Sequence, residues 1–185
     1  MKVGIYGGSF NPVHNGHVGI AKKAIEAFGL DRLIVIPALV SPFKTGNREV
    51  PPYDRLELVK LAFAGIPKVV VDDRELRRGG VSYSVDTVRE IRAEYEKSIR
   101  ESGVDGVADD RHEGLELIFL VGEDSVAGLP RWKDYDELVR LCTFRSFERT
   151  PESSTEVRRR LASGEPIDDL VPAAVAKAIG AASIR

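Results

Sequence analysis

The sequence predicts an α/β fold: one doubly wound parallel sheet of about five strands with helices on both faces. Two observations predict it. Strand-like and helix-like segments alternate along the whole chain, an order that implies parallel strands joined by right-handed crossovers. The strand-like segments are short and almost continuously apolar, as strands covered on both faces are. The size agrees, since 185 residues with 43% hydrophobic content suffice for one domain with a sizeable core.

The elements follow in order. "KVGIY" is a buried strand ended by Gly7-Gly8. Val18, Ala21, Ile25 and Phe28 then recur at helical spacing, and Gly29 stands where a C-terminal cap belongs. "RLIVIPA" is the second strand, followed by a Pro- and Gly-containing loop over 38–52. Residues 53–64 make the next helix, and "KVVVDD" the third strand. Val88, Ile91 and Tyr95 mark a helix that begins near Ser84. Residues 102–114, charged and carrying three glycines, read as an exposed loop. "LELIFLVG" is the fourth strand, 130–142 a helix, "TFRSF" a weaker fifth strand, and two helices close the chain. No internal repeat or linker interrupts this order, so residues 1–185 read as a single Rossmann-like domain.

Composition excludes several classes. A net charge of −2 gives no sign of a nucleic-acid or membrane-surface partner. Cys142 is the only cysteine, which rules out an internal disulfide and fits a reducing compartment. No segment is long and apolar enough to span a bilayer, and "MKVGIYGG" is too soon broken by glycine for a secretory signal. The expectation is a soluble cytoplasmic protein.

The chemistry concentrates in "GGSFNPVHNGH", residues 7–17. In an open α/β sheet ligands bind beyond the carboxyl ends of the strands, where Gly7 and Gly8 sit. Glycine lets backbone approach a ligand, and the helix start that follows offers N–H groups and a partial positive charge suited to phosphate. Ser9 adds a hydroxyl, and Pro12 fixes the turn. The spacing is not G-x-G-x-x-G, so a dinucleotide cofactor is not implied. His14 and His17, three apart, project to one side if the helix has begun by Asn15, and two imidazoles there can stabilise charge on phosphoryl oxygens. Zinc is a poorer reading, because no cysteine or carboxylate lies at ligand spacing nearby.

"GGSFNPVHNGH" resembles the His-x-Gly-His signature of the nucleotidyltransferase superfamily, whose histidines contact ATP or CTP phosphates. Three more stretches narrow the resemblance to bacterial nicotinate-nucleotide adenylyltransferases: "DRELRRGGVSYSVDT", "GEDSVAGLPRWKDYDEL" and "SSTEVRRRL". The resemblance implies that His14 and His17 are catalytic. It implies ATP contacts at Gly8, Ser9, Gly16, Gly122, Asp124, Ser154, Thr155 and Arg158, with residues 153–185 completing the nucleotide pocket. It implies nicotinate mononucleotide contacts at Lys44, Tyr83, Ser84, Thr87 and Trp132. Mg²⁺ is expected with ATP, held mainly by substrate phosphates rather than by a protein metal site. ATP and nicotinate mononucleotide are the expected partners, with no nucleic acid and no membrane.

Physical chemistry supports these roles but also offers plainer ones. Two hydroxyls and a guanidinium at a helix start suit a polyphosphate, yet "SST" also makes an ordinary N-cap. Trp132 offers a flat face to a pyridine ring, although a tryptophan is by default core. Asp124 can bind a ribose or cap a helix. Lys44 can meet a phosphate or face solvent, and Arg77 and Arg78 can be a basic surface turn. Tyr135 stands where relatives carry a second aromatic residue. The N–H groups near Ser84 and Val85 lack intrahelical partners and suit a carboxylate.

The chain also departs from the pattern. Phe43, in "SPFK", stands where a histidine is usual, so any polar role there is lost. Glu123 replaces a small residue near an anionic nucleotide. Only "ERTPE" separates Phe147 from Ser153, where relatives carry a longer segment. The alternatives there are a rebuilt C-terminal side of the nucleotide pocket or a trimmed segment. The competing functions are phosphopantetheine adenylyltransferase, which usually has threonine where His14 stands, a cytidylyltransferase, and a non-catalytic nucleotide-binding protein.

Overall fold

The computed structural model describes residues 1–43, 50–101, 114–148 and 150–182. Lys44 and the expected loop over 102–113 lie outside these residues. The five strands are β1 (Lys2–Gly8), β2 (Arg32–Pro37), β3 (Val69–Val71), β4 (Glu116–Gly122) and β5 (Thr143–Phe147). They form one parallel sheet in the order β3-β2-β1-β4-β5. Ile5 lies opposite Ile34 on one side and Phe119 on the other, which sets the central register.

Side-chain alternation explains the two layers. Leu33, Val35, Ile118 and Leu120 pack into one core, under α1 (Asn15–Ala27), α2 (Pro52–Phe63), α7 (Ser154–Ser163) and α8 (Ala173–Ala182). Their neighbours Ile34, Ile36, Leu117, Phe119 and Val121 pack into the other, under α4 (Ser84–Glu101) and α6 (Tyr135–Leu141). A strand has period two, so an unbroken apolar run feeds both faces at once. Ile5, Leu33, Val35, Val88 and Leu138 are fully buried. At roughly 1.5–3 kcal/mol per buried aliphatic side chain, these two layers are the main stabilising term.

Two elements differ from the sequence expectation. A short helix α3 (Arg74–Arg78) follows β3, in a stretch whose apolar pattern gave no sign of it. The helix expected over 130–142 is broken. A short α5 (Glu123–Val126) and a single 3-10 turn (Leu129–Arg131) precede it, and α6 begins only at Tyr135. The break has a local cause: Asp134 takes the left-handed conformation, with φ 52°, and Trp132 is extended. No helix among the described residues is long and apolar enough to cross a membrane.

The chain leaves β1 toward β2 on one side and later returns to β4 on the other. A crevice therefore opens at the carboxyl ends of β1 and β4, where strand order reverses.

Candidate active site

At the end of β1 the chain turns sharply. Phe10 takes φ 44°, a left-handed conformation that costs a non-glycine residue roughly 1–2 kcal/mol. Its buried ring offsets this by packing edge-on against Tyr6, His17 and Phe63. The turn delivers His14 to the N-cap of α1 and His17 to its first turn. Their ring centroids lie 3.7 Å apart. The His14 backbone N–H donates to His17 Nδ1 at 3.1 Å. An imidazole that accepts at Nδ1 carries its proton on Nε2, so His17 is a neutral donor at its outer nitrogen. Burial pushes the His14 pKa down to about 4, against the smaller opposing pull of the Glu152 carboxylate. His14 is 93% buried, being 7% exposed, and no hydrogen-bonding group among the described residues meets its Nδ1.

The histidine corner is closed by groups from the C-terminal part of the chain. Ser153 caps α7 by accepting from the Glu156 N–H, and Ser154 Oγ donates to the Pro12 carbonyl at 2.9 Å. Arg158 donates to the Asn11 carbonyl and to Thr155 Oγ1. The Asn15 N–H donates to the Leu170 carbonyl at 2.8 Å, so that donor of the helix start is already engaged. Thr150, from the short segment before Ser153, sits directly on Gly16. A Cβ added at Gly16 would lie 2.0 Å from Thr150 Oγ1. The shortened segment therefore covers the histidine pair with Thr150 and Glu152.

Beside this corner lies a cavity of about 470 Å³. Gly7, Gly8 and Ser9 form its floor from β1, and Gly122 closes the end of β4. Tyr83 and Ser84 line it from the start of α4, and Phe43 and Trp132 from two loops. The first α4 residue whose N–H bonds back along the chain is Thr87, to the Tyr83 carbonyl at 3.3 Å, which leaves the earlier N–H groups at the helix start. Trp132 is held edge-on by Phe119 and Phe144. The turn that carries it is fastened to α4: Lys133 reaches Asp86 and covers the Tyr83 ring, and Arg89 pairs with Glu137 and Asp134.

The expected site residues divide accordingly. Gly8, Ser9, Gly122, Tyr83, Ser84 and Trp132 share the cavity. His14, His17, Gly16, Ser154, Thr155 and Arg158 gather at the histidine corner. Asp124 is exposed on α5 and does not line the cavity. Thr87 is a correction. It is 1% exposed, and its hydroxyl donates to Glu75 at 2.6 Å and accepts from Arg78, so it braces the wall from behind. Arg77 and Arg78 are engaged by Asp73 and Glu90. Tyr135 stacks on Phe144 outside the cavity.

Sequence reasoning missed three residues. Glu75 lines the cavity, and burial raises its carboxyl pKa against the hydrogen bonds of Thr87 and Ser82. Arg55 is 1% exposed and donates to the carbonyls of Ser9, Ala38, Leu39 and Val50, tying the end of β1 to the loop after β2. Thr150 is the third. Each sits at a position whose residue type is ordinary on a surface, and only the fold turns it inward.

Residues 5–171 match the Cytidylyltransferase-like family. A protein of Citrifermentans bemidjiense named probable nicotinate-nucleotide adenylyltransferase is 38% identical over 161 residues, covering 87% of this chain and 67% of that protein. One of the same name from Gemmatimonas aurantiaca is 34% identical over 212 aligned residues, covering 100% of this chain and 92% of its own. The chain belongs to the cytidylyltransferase-like family, in its nicotinate-nucleotide adenylyltransferase branch. Its fold also matches the Plasmodium falciparum nicotinic acid mononucleotide adenylyltransferase solved with NaAD, with a TM-score of 0.69 at 14% identity, covering 97% of this chain and 95% of that one. Among the described residues no group of three or more His, Cys, Asp or Glu is placed to hold a metal.

Proposed function

We propose that this protein transfers the adenylyl group of ATP to nicotinate mononucleotide, giving nicotinate adenine dinucleotide and pyrophosphate. One observation carries the reading. A cavity with a fixed tryptophan and a helix start opens at the strand-order reversal, and its Tyr6 wall is one ring away from His17, centroids 6.3 Å apart. The size suits a mononucleotide, and the histidines suit a phosphate. Family membership and the names of the relatives support the same substrates.

The chemistry needs no protein nucleophile. A phosphate oxygen of the mononucleotide attacks the α-phosphorus of ATP in line. The bond from that phosphorus to the bridging oxygen breaks, and pyrophosphate leaves with the electron pair. The protein's part is to position the two substrates and to stabilise charge on the phosphoryl oxygens. His17 Nε2–H donates to those oxygens. His14 is neutral at pH 7 and has an unmet ring nitrogen, which an oxygen-bound proton or a substrate donor can satisfy. Arg158 and Ser154 exchange their present carbonyl partners, of Asn11 and Pro12, for the leaving phosphates, and the Thr155 hydroxyl, which now accepts from Arg158, donates to them too. Once Thr150 moves off Gly16, the start of α1 receives the ATP phosphates, and Asp124, exposed on α5, contacts the ribose. Lys44 meets the mononucleotide phosphate. Mg²⁺ enters as part of the ATP substrate. The N–H groups at Ser84 and Val85 donate to the nicotinate carboxylate, and Trp132 stacks on the ring. The place of action is the cytoplasm, where ATP is available.

Pyrophosphate release from ATP is the test, measured with nicotinate mononucleotide, nicotinamide mononucleotide and phosphopantetheine in parallel. Release with nicotinate mononucleotide above the other two is expected. Release only with phosphopantetheine, or with none of the three, overturns the proposal.

A further inference from the structure

Phe43 is 59% exposed, although burial of so large an apolar ring is favourable. Its centroid lies 6.2 Å from that of Trp132, with the two planes only 30° apart, and both rings line the same cavity. The two are held very differently. Trp132 is braced edge-on by Phe119 from β4, at 5.8 Å and 81°, and by Phe144 from β5, at 6.0 Å and 85°. The sheet therefore fixes its plane. Phe43 has Trp132 as its one aromatic contact among the described residues and otherwise faces solvent. A flat ring in van der Waals contact with two faces needs about 7 Å between them. The 6.2 Å between the two centroids is about 1 Å short of that, and Phe43 is the less constrained of the two rings.

We infer that Phe43 and Trp132 form a clamp on the pyridinium ring of the mononucleotide, Trp132 as the fixed face and Phe43 as the adjustable one. Phe43 is then a further binding residue for the mononucleotide. Both faces are negative quadrupoles, and the ring between them is flat and cationic, so each contact is a cation–π contact as well as a stack. A phenyl face cannot acquire a positive charge and so never repels the pyridinium, whereas an imidazole at this position would do so when protonated. Closure also removes the exposed Phe43 face from water, which favours binding. The inference rests on the mononucleotide reading of the cavity.

Trp132 is the only tryptophan, so its fluorescence reports this site alone. Titration of the protein with nicotinate mononucleotide should quench it. In Phe43→Ala the mononucleotide should bind about 10-fold more weakly, with the affinity for ATP unchanged. Phe43→Tyr keeps the face and should return the affinity to within about threefold of the wild type. Since Phe43 is largely exposed, neither change threatens folding. Wild-type quenching together with Phe43→Ala affinity within about twofold of it overturns the clamp alone. A wild type that nicotinate mononucleotide does not quench overturns both the clamp and the reading of the cavity.

Discussion

The two ends of the crevice are built on opposite terms. Around Trp132 the walls are aromatic and glycine-rich and enclose about 470 Å³. Around His14 and His17 the polar groups are turned onto the protein itself: Ser154 donates to the Pro12 carbonyl, Arg158 to the Asn11 carbonyl, and Thr150 rests on Gly16. The difference follows from what each surface tolerates without a ligand. Aromatic faces can wait half-exposed, because they lose nothing directional in water. Buried donors cannot wait, because an unmet polar group costs about 1–3 kcal/mol. The cavity is therefore open, whereas the donors of the histidine corner are held by the protein's own carbonyls.

The largest test of this contrast removes the group assigned to the developing charge. His17→Ala should lower kcat at least about 100-fold while ATP still binds, since the interaction belongs mainly to the transition state. Steady-state kinetics beside an ATP titration reads this, and a near-normal kcat breaks the assignment of the corner.

Acid sharpens the contrast next. The His14 pKa is pushed from 6.5 down to about 4 by burial. Between those values the unfolded chain binds the proton and the folded one does not, so this residue's contribution to stability is lost as pH falls from 6.5 toward 4. The loss should reach about 2 kcal/mol. Urea unfolding of the wild type and His14→Asn at pH 7 and pH 4.5 should show a smaller acid loss in the variant. Equal losses would mean that the corner is not dry.

Arg158→Ala comes third. ATP affinity should fall about 10-fold and mononucleotide affinity hardly at all, as measured by separate KM values. Equal losses for both substrates would show that the two ends are not independent. The smallest effect concerns acid against amide. A carboxylate at the start of α4 gains about 0.3–1 kcal/mol from the helix dipole, so kcat/KM should favour nicotinate over nicotinamide mononucleotide by about two- to fivefold. Trp132→Ala should weaken both substrates and keep their ratio. Equal kcat/KM in the wild type would show that the Ser82–Thr87 turn at the start of α4 does not hold the carboxylate.

Sequence signals reached both ends of the crevice, and most of what they missed lies around the cavity. Strand periodicity places Gly7, Gly8 and Gly122 at carboxyl ends, and the helix signal places Ser84 at a helix start, so most of the cavity can be read without coordinates. Thr87 misled because helical spacing does not say which hydroxyl turns inward, and here it meets buried Glu75. The helix expected over 130–142 failed at Asp134, whose left-handed backbone no periodicity reveals. Arg55 reads as a charge on an amphipathic helix, yet it lies at the centre of four carbonyls from three separate segments. Such convergence is set by long-range packing, and a local pattern carries no trace of it.

Gly16 and Thr150 share one volume, and this ties their mutational histories together. With Thr150 in place, any side chain at 16 would put its first carbon 2.0 Å from the threonine hydroxyl, so a substitution there forces Thr150 to shift. Exchange of Thr150 for glycine removes that obstacle and leaves the His14 ring edge, 3.1 Å away, as the remaining tight neighbour. The effect of Gly16→Ala is therefore not a property of position 16 alone. It is large on the present background and smaller once Thr150 has gone, so the route to the double variant is passable in one order and obstructed in the other.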